Sequence, residues 1–290
     1  MIGLHLYNLL CTCVYSAVKS RFPTLTHVIP SQDRGNFTAV TSLGDEVFVV
    51  RYITQQVGVY DAETFILQRH ITVHGLGSRC CGLAACDVNH CIYVPDWNNS
   101  SIHRVELSGS NAVKTWSVAG WPAGLSVNKA HNLVVVCCDE NKLQEYTTHG
   151  SLVREIYLQA GVTSPWHAIQ LSTGHYVVSQ HTSPGVVSVV GVDGQVIHSY
   201  GQSQTSDVGQ MNHPSSLAVT KNDDILVADE DNNRILSIIR STGCVQELAL
   251  SVDGGIQEPL GLCLDESRGR LYVGEWSGKH RVLVFDDVMI

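Results

Sequence analysis

Short apolar runs separated by polar turns repeat along most of this chain. The runs are four to six residues long and rich in Val, Ile, Leu and Tyr, as in DEVFVV, CIYV, LVVV, HYVV, DILV and RLYV. Runs of this length and composition, bounded by Asn, Asp, Gly and Ser, are typical of β-strands. No stretch has a convincing helical period. The pattern therefore predicts an all-β protein.

The stretch His213–Ile238 shows the repeated unit most clearly. It contains a Pro, an apolar run, an Asn-Asp turn, a second apolar run, a polar loop and a third apolar run. Five other segments follow the same order, and the one that begins at Phe37 is the least regular. When the six segments are aligned at the end of the second run, the aligned positions are Arg51, Asp96, Cys137, Gln180, Asp229 and Glu275.

The spacing of these aligned positions indicates the fold. The first and the last are 224 positions apart, so the five intervals average about 45 residues. A unit of this length accommodates four strands. Six four-stranded units predict a six-bladed β-propeller with antiparallel blades.

The two ends of the chain indicate how the ring closes. Only five residues follow Phe285, which is short for a turn and a fourth strand. The segment Thr24–Ile29 has strand character and no partner in its own neighbourhood. We expect it to pair with Arg281–Phe285 and complete the sixth blade, because closure removes exposed sheet edges. The propeller then spans residues 24–290, after an N-terminal extension, residues 1–23, with some features of a weak signal peptide.

The stretch that starts at Pro214 and continues through Asp229 to Asn233-Arg234-Ile235 resembles an NHL repeat, and Pro259–Phe285 matches it nearly as well. The chain is similar to the NHL propellers of tripartite-motif proteins. This resemblance implies a substrate-recognition role in a ubiquitin-ligase system. The wider family also includes RNA-binding translational repressors and, more distantly, a zinc-dependent amidating lyase.

Four of the five Trp residues fall in loops that a propeller opens on one face. These are the loops before strand one and between strands two and three of each blade, and loops of this kind commonly carry binding sites. The four are Trp97, Trp121, Trp166 and Trp276. Because Trp is enriched at binding hot spots, they predict a face that binds a protein or peptide, with Trp97 and Trp166 as contacts. The alternative is that each Trp caps the gap between adjacent blades, a role that suits Trp121 best.

The aligned polar residues belong to the same predicted binding face. They are Arg51, Asp96, Gln180, Asp229 and Glu275. The alternative for the acidic members is structural, because a carboxylate can accept hydrogen bonds from backbone N–H groups of the polar loop that follows it.

Three His residues in loops of that face raise a metal alternative. His167, His181 and His213 could hold zinc with one open position, as in a secreted propeller enzyme of the amidating-lyase type. A lactonase-like enzyme is another six-bladed alternative, but it depends on calcium and needs a Glu, an Asn and an Asp converging in the channel. Two of the three His residues come from one blade, however, and the lyase's surrounding motifs are not recognisable. We therefore predict no metal and no cofactor.

The net charge of the chain limits the class of partner that it can bind. The chain has 18 Lys and Arg against 27 Asp and Glu, a net charge of −9. This balance disfavours RNA, which remains the second alternative, and an anionic membrane surface. The ten Cys include no CxxC pair. The sequence thus predicts a non-enzymatic propeller that binds a protein or peptide, monomeric and cytoplasmic rather than secreted.

Overall fold

The computed structural model describes residues 23–30, 36–52, 54–109, 111–201 and 209–288. In this part of the chain, 24 β-strands form six four-stranded antiparallel sheets. The predicted six-bladed β-propeller is confirmed. The N-terminal extension, predicted as residues 1–23, lies outside the described residues except for Pro23.

The first strand in the chain, β1 (Thr24–Pro30), belongs to the last blade, and blades 1 to 3 follow it in order. Blade 1 contains β2 (Phe37–Leu43), β3 (Glu46–Arg51), β4 (Gln56–Asp61) and β5 (Leu67–Thr72). Blade 2 contains β6 (Ala84–Cys86), β7 (Cys91–Asp96), β8 (Ser101–Glu106) and β9 (Val113–Ser117). Blade 3 contains β10 (Pro122–Val127), β11 (Leu133–Cys137), β12 (Lys142–Tyr146) and β13 (Leu152–Tyr157).

Blades 4 to 6 complete the ring. Blade 4 contains β14 (Pro165–Gln170), β15 (Tyr176–Gln180), β16 (Val186–Val190) and β17 (Val196–Tyr200). Blade 5 contains β18 (Pro214–Val219), β19 (Ile225–Asp229), β20 (Arg234–Ile239) and β21 (Cys244–Glu247), with a short 3-10 helix, Glu230–Asn232, after β19. Blade 6 contains β22 (Pro259–Asp265), β23 (Arg270–Glu275), β24 (Arg281–Asp286) and β1.

Between their end positions the second strands are mostly apolar, because both faces of a blade are covered. In β11, Leu133 and Val135 pack against blade 2, whereas Val134 and Val136 pack against blade 4. The other neighbouring blades are joined by similar apolar clusters. A strand that is buried on both faces reads as a continuous apolar run rather than as an alternating pattern.

Small residues in the first strands allow these strands to pack closely around the central channel. A Cβ atom at Gly124 of β10 would lie 2.6 Å from the Trp166 carbonyl oxygen of the next blade. A Cβ atom at Gly82, just before β6, would lie 2.9 Å from the Ala123 carbonyl oxygen. Glycine at these positions therefore keeps the channel narrow.

The ring is closed as predicted. Strand β1 pairs antiparallel with β24, with Leu25 opposite Phe285 and Ile29 opposite Val282. The N-terminal strand thus provides the fourth strand of blade 6, which β24 would otherwise leave with an open edge. None of the helices in the described residues is long and apolar enough to cross a membrane.

Candidate functional site

Two rings of side chains, one residue apart in sequence, lie where the second strand of each blade ends. The aligned positions are the last residues of these strands, and we call them the lower ring: Arg51, Asp96, Cys137, Gln180, Asp229 and Glu275. The residues that follow them directly are the upper ring: Tyr52, Trp97, Cys138, His181, Glu230 and Trp276.

The two rings differ in exposure. Every member of the lower ring is buried, and every member of the upper ring is half-buried. Successive side chains of an extended chain point in opposite directions, so a shift of one residue moves a side chain from the interior to the face.

The lower ring fixes the loops that lead into the first strands. In four blades, its side-chain oxygen accepts a hydrogen bond from a backbone N–H in the loop before the first strand of the same blade. The pairs are Asp96 with Gly77 at 2.8 Å, Gln180 with Thr163 at 2.7 Å, Asp229 with Asn212 at 2.7 Å and Glu275 with Gln257 at 3.0 Å. These residues thus hold the loops that shape the face.

Two lower-ring carboxylates also form buried ion pairs. Glu275 accepts from Arg281 Nε at 2.7 Å, and Asp229 accepts from Arg234 Nε at 2.8 Å. Both carboxylates are 0% exposed. At Asp96, burial alone would raise the carboxyl pKa, but hydrogen bonds from the Asn99 side chain, the Gly77 backbone and other donors lower it overall.

The predicted binding residues of the lower ring therefore lie beneath the face rather than on it. Arg51 packs over the Phe37 ring at 4.9 Å and donates to the Tyr60 hydroxyl at 3.1 Å. The hydrogen bonds of the other four fit the structural alternative, with one difference from the expectation. These four are Asp96, Gln180, Asp229 and Glu275. Their main backbone donors come from the loop before strand one, whereas the expectation named the polar loop that follows the carboxylate.

A hydrogen-bonded relay in blade 2 resembles a catalytic triad in composition. Asp96 Oδ2 lies 3.3 Å from His103 Nε2, and His103 Nδ1 lies 2.9 Å from Thr115 Oγ1. Asp96 and His103 are buried, whereas Thr115 is exposed on the fourth strand. A base held between a carboxylate and a hydroxyl is the arrangement found in acyl-transfer enzymes.

Equivalent relays in two other blades give this arrangement a structural role. In blade 4, Gln180 donates to Ser188 at 2.9 Å, and Ser188 contacts Ser199 at 3.0 Å. Blade 3 has the same relay from Cys137 through Gln144 to Glu155. Gln144 and Ser188 occupy the register position that His103 has in blade 2, and neither of these two side chains is a base. The relay therefore ties strands two, three and four together at one level of the blade.

The four Trp residues of the face fall into two groups. The Trp97 ring contacts Trp121 at 5.5 Å and Trp166 at 6.1 Å, and Trp276 contacts Tyr52 edge-on at 5.1 Å. Trp166 is the second residue of β14 rather than part of the preceding loop. Trp121, with 49% of its surface exposed, is the least buried of the four.

All of these aromatic residues except Trp121 line a cavity of about 360 Å³ that opens on the face. Five of the six upper-ring residues line it, together with Trp166, Arg79, Cys81, Thr38 and Leu260. Burial raises the pKa of the Cys81 thiol to about 12, so this thiol remains protonated at neutral pH. Tyr52 and Glu230 were not predicted as site residues. The signal that identifies them is their position one residue after the aligned one.

Below the cavity the central channel is nearly closed. Its narrow part has a volume of about 30 Å³ and is lined by residues in or just before the first strands, among them Gly82, Gly124, Leu125, His167 and Gly261. This leaves room for roughly one or two water molecules. A ligand that enters the cavity thus meets a closed floor.

The three His residues of the metal alternative do not converge. His167 is buried in the channel wall, where its Nε2 lies 2.9 Å from the Leu125 carbonyl oxygen and its Nδ1 accepts from the Leu217 N–H at 2.9 Å. Burial lowers the pKa of His167 to about 4, so the ring is neutral. Both ring nitrogens are engaged by the backbone, which leaves no lone pair for a metal.

The other two His residues lie on the face and contact carboxylates. His181 Nε2 lies 3.0 Å from Glu230, and His213 Nδ1 lies 2.7 Å from Asp231. Within the described residues, no group of three or more His, Cys, Asp or Glu side chains is arranged to hold a metal ion. The residues present therefore do not fit the zinc site of the amidating-lyase alternative.

Comparison with known families supports the repeat. The family model described as NHL repeat matches residues 211–236 and 257–285, which lie in blades 5 and 6. The chain contains NHL repeats. The finer similarity of these NHL repeats to the tripartite-motif proteins is not confirmed, and no curated protein matches the chain in sequence.

Solved structures share the propeller fold at low identity. A streptogramin B lyase has a TM-score of 0.64 and 13% identity, covering 90% of this chain and 96% of its own. Virginiamycin B lyase from Staphylococcus aureus has a TM-score of 0.64 and 14% identity, covering 88% and 80%. Kuenenia stuttgartiensis hydrazine synthase has a TM-score of 0.63 and 18% identity, covering 94% and 79%.

These structures correct one prediction. The sequence led us to predict that the NHL propeller is not an enzyme, and this is contradicted because lyases and a hydrazine synthase have the same fold. The error came from treating the propeller as a binding scaffold alone. At these identities the likeness shows the fold, and function has to be argued from the site.

Proposed function

We propose that the face carrying the upper ring binds a peptide or protein partner, with one partner side chain inserted into the cavity. The observation that carries this proposal is the cavity of about 360 Å³, whose walls are largely aromatic. Its size lies within the range of about 300–1,000 Å³ seen for ligand sites. The narrow channel below prevents a ligand from passing through, so binding energy is gained at the face.

The aromatic walls supply that energy at a small entropic cost. Trp97 and Trp166 are half-buried and contact each other, so their rings are held in place before a ligand arrives. Rigid aromatic side chains in a preformed pocket are the usual hot spots of interfaces, each worth about 2 kcal/mol or more on truncation. A face of this kind can receive a substrate as well as a partner chain.

Selection from a random-sequence peptide library displayed on phage tests the proposal. We expect the protein to enrich a set of peptides that Trp97→Ala and Trp166→Ala variants bind at least about 30-fold more weakly. Tyr157→Ala is the matched control, because Tyr157 is an aromatic residue that is 60% exposed on the outer strand of blade 3. Peptides that bind all four proteins equally well would place the binding site elsewhere.

The resemblance of the NHL repeats to tripartite-motif proteins favours one biological setting for such a face. In that setting, the propeller recruits substrates for a ubiquitin ligase. The partner is then a protein segment that has to be held while another domain acts on it. This need is met by a shallow aromatic cavity with a closed floor.

A further inference from the structure

We infer that the cavity takes a cationic group of the partner, the ammonium of a Lys or the guanidinium of an Arg side chain. This inference rests on the proposed function and adds the chemistry of the inserted side chain. Its grounds are the aromatic walls, a carboxylate among them, and the charge of the loops around the mouth.

The walls present rings of different orientation to one space. Trp97 and Trp166 are inclined by 47°, and Tyr52 and Trp276 stand nearly perpendicular at 76°. All four line the cavity. The face of an aromatic ring carries partial negative charge and attracts a cation within about 6 Å of its centroid. Four rings around one cavity thus favour a cation over an anion.

Glu230 provides a counter-charge in the same cavity. Its carboxylate lies 3.0 Å from His181 Nε2, and its side chain is only 13% exposed. His181 is itself stacked on Trp166 at 4.7 Å, so the carboxylate is held against the aromatic wall. A carboxylate with little exposure to water attracts a cation more strongly than a solvated one does.

The loops around the mouth add to this negative charge. Among the described loops of the face, the solvent-accessible carboxylates are Asp139, Glu140, Glu230, Asp231, Asp253 and Glu258, and the accessible Lys and Arg side chains are Arg79 and Lys279. The excess of carboxylates attracts a basic segment and repels an acidic one.

Arg79 carries a positive charge that repels a cationic ligand, and this allows a direct test of the inference. It lines the cavity and is exposed. If the ligand group is cationic, removing this charge has to strengthen binding. If Arg79 is instead the anchor for an anionic ligand, removing it has to weaken binding.

Three short peptides that differ only in the central residue test the inference. The central residue is Lys, its uncharged analogue norleucine, or Glu, flanked by Gly and Ser, and binding is followed by the change in Trp fluorescence. We expect the Lys peptide to bind at least about threefold more tightly than the norleucine peptide and the Glu peptide to bind weakest. Equal affinity for Lys and norleucine, or tighter binding of the Glu peptide, would overturn the inference.

Charge variants provide the second arm. Glu230→Gln is expected to weaken Lys-peptide binding about threefold or more, and Arg79→Gln to strengthen it. The control is Glu140→Gln, which removes the same charge from the face outside the cavity lining. If Glu140→Gln weakens Lys-peptide binding as much as Glu230→Gln does, the effect is a general attraction by the charged face and the inference is wrong. Weaker binding by Arg79→Gln would indicate an anionic ligand instead.

The two proposals fail in different ways. Library peptides that depend on Trp97 but carry no cation would preserve the binding face and overturn the cationic ligand. A Lys peptide that binds equally well to the Trp97→Ala and Trp166→Ala variants would overturn both. Salt-dependent binding of single-stranded RNA that requires Arg79 would show that the ligand is an anionic polymer, and the inference of a cationic side chain would be wrong.

Discussion

The lower and upper rings are one residue apart in sequence, yet they differ in burial and in the groups they contact. The lower ring is buried and most of it is hydrogen-bonded to the loops of the face, whereas the upper ring is half-buried and five of its six members line the cavity. Lower-ring residues differ in chemistry, but most of them accept a backbone N–H. Upper-ring residues share no such role and range from Trp to Glu. The difference teaches that alternate side chains at the end of one strand can anchor the loops beneath the face and shape the cavity for which we propose binding.

The comparison predicts that identical substitutions have unequal effects in the two rings. The largest expected effect is that of Glu275→Gln in the lower ring. It leaves Arg281, which is 6% exposed, without the carboxylate that compensates its charge. Breaking a buried pair in this way costs about 3–5 kcal/mol of unfolding free energy. Urea unfolding followed by far-UV circular dichroism measures the loss.

A double variant shows whether the buried charge is responsible. Glu275→Gln with Arg281→Val gives blade 6 the residue types that blade 4 has at the same positions, Gln180 and Val186. We expect it to recover most of the loss, because a buried pair can be replaced by apolar packing at little cost. A double variant no more stable than the single one would contradict this explanation.

Gln180→Ala is expected to have a smaller effect, since no charge is left behind. The Thr163 N–H and the Ser188 hydroxyl each lose a partner. Unsatisfied buried groups cost about 1–3 kcal/mol. His181→Ala is the matched control, because this neighbour in the upper ring is half-buried. If both variants lose the same stability in urea unfolding, the separation of the two rings fails.

Trp166 and His167 are also neighbours in sequence that differ in burial, since Trp166 is half-buried and His167 is buried. The burial of His167 can be detected in the pH dependence of stability. The folded-state pKa of His167, about 4, lies below the ordinary value of 6.5 for His. Between these values the unfolded chain binds a proton that the folded chain excludes, so stability falls as pH decreases from about 7 towards 4. The contribution of His167 lost by pH 5 is about 2 kcal/mol.

A variant isolates this contribution to the pH dependence. We expect His167→Gln to show a shallower decrease of unfolding free energy between pH 7 and pH 5 than the original protein, whatever its stability at pH 7. Parallel slopes for the two proteins would show that His167 does not remain neutral in the folded state.

The fold could be predicted from the sequence because its signals are local and repeated. The apolar runs, the period and the unpaired segment Thr24–Ile29 each specify one feature of the ring. The site was harder to predict. The alignment singled out Asp96 and its equivalents because they repeat, but repetition reflected their shared structural role. The contacts of Trp97 with Trp121 and Trp166 depend on how segments from three blades pack, and spacing carries no information about this.

The smallest expected effect is that of Glu230→Gln, the same chemical change in the upper ring. The Gln side chain retains an oxygen that can accept from His181 Nε2, now 3.0 Å from the carboxylate. Within the described residues the ion-pair partner of Glu230 is this His, so the change leaves no buried permanent cation unpaired there. A change on the face that leaves no buried charge unpaired is expected to stay within about 0.5 kcal/mol. The same urea titration used for Glu275→Gln checks it. A loss of more than about 2 kcal/mol in Glu230→Gln would mean that the upper ring also supports the fold, because a loss of this size is typical of a buried polar group left without its partner, about 1–3 kcal/mol.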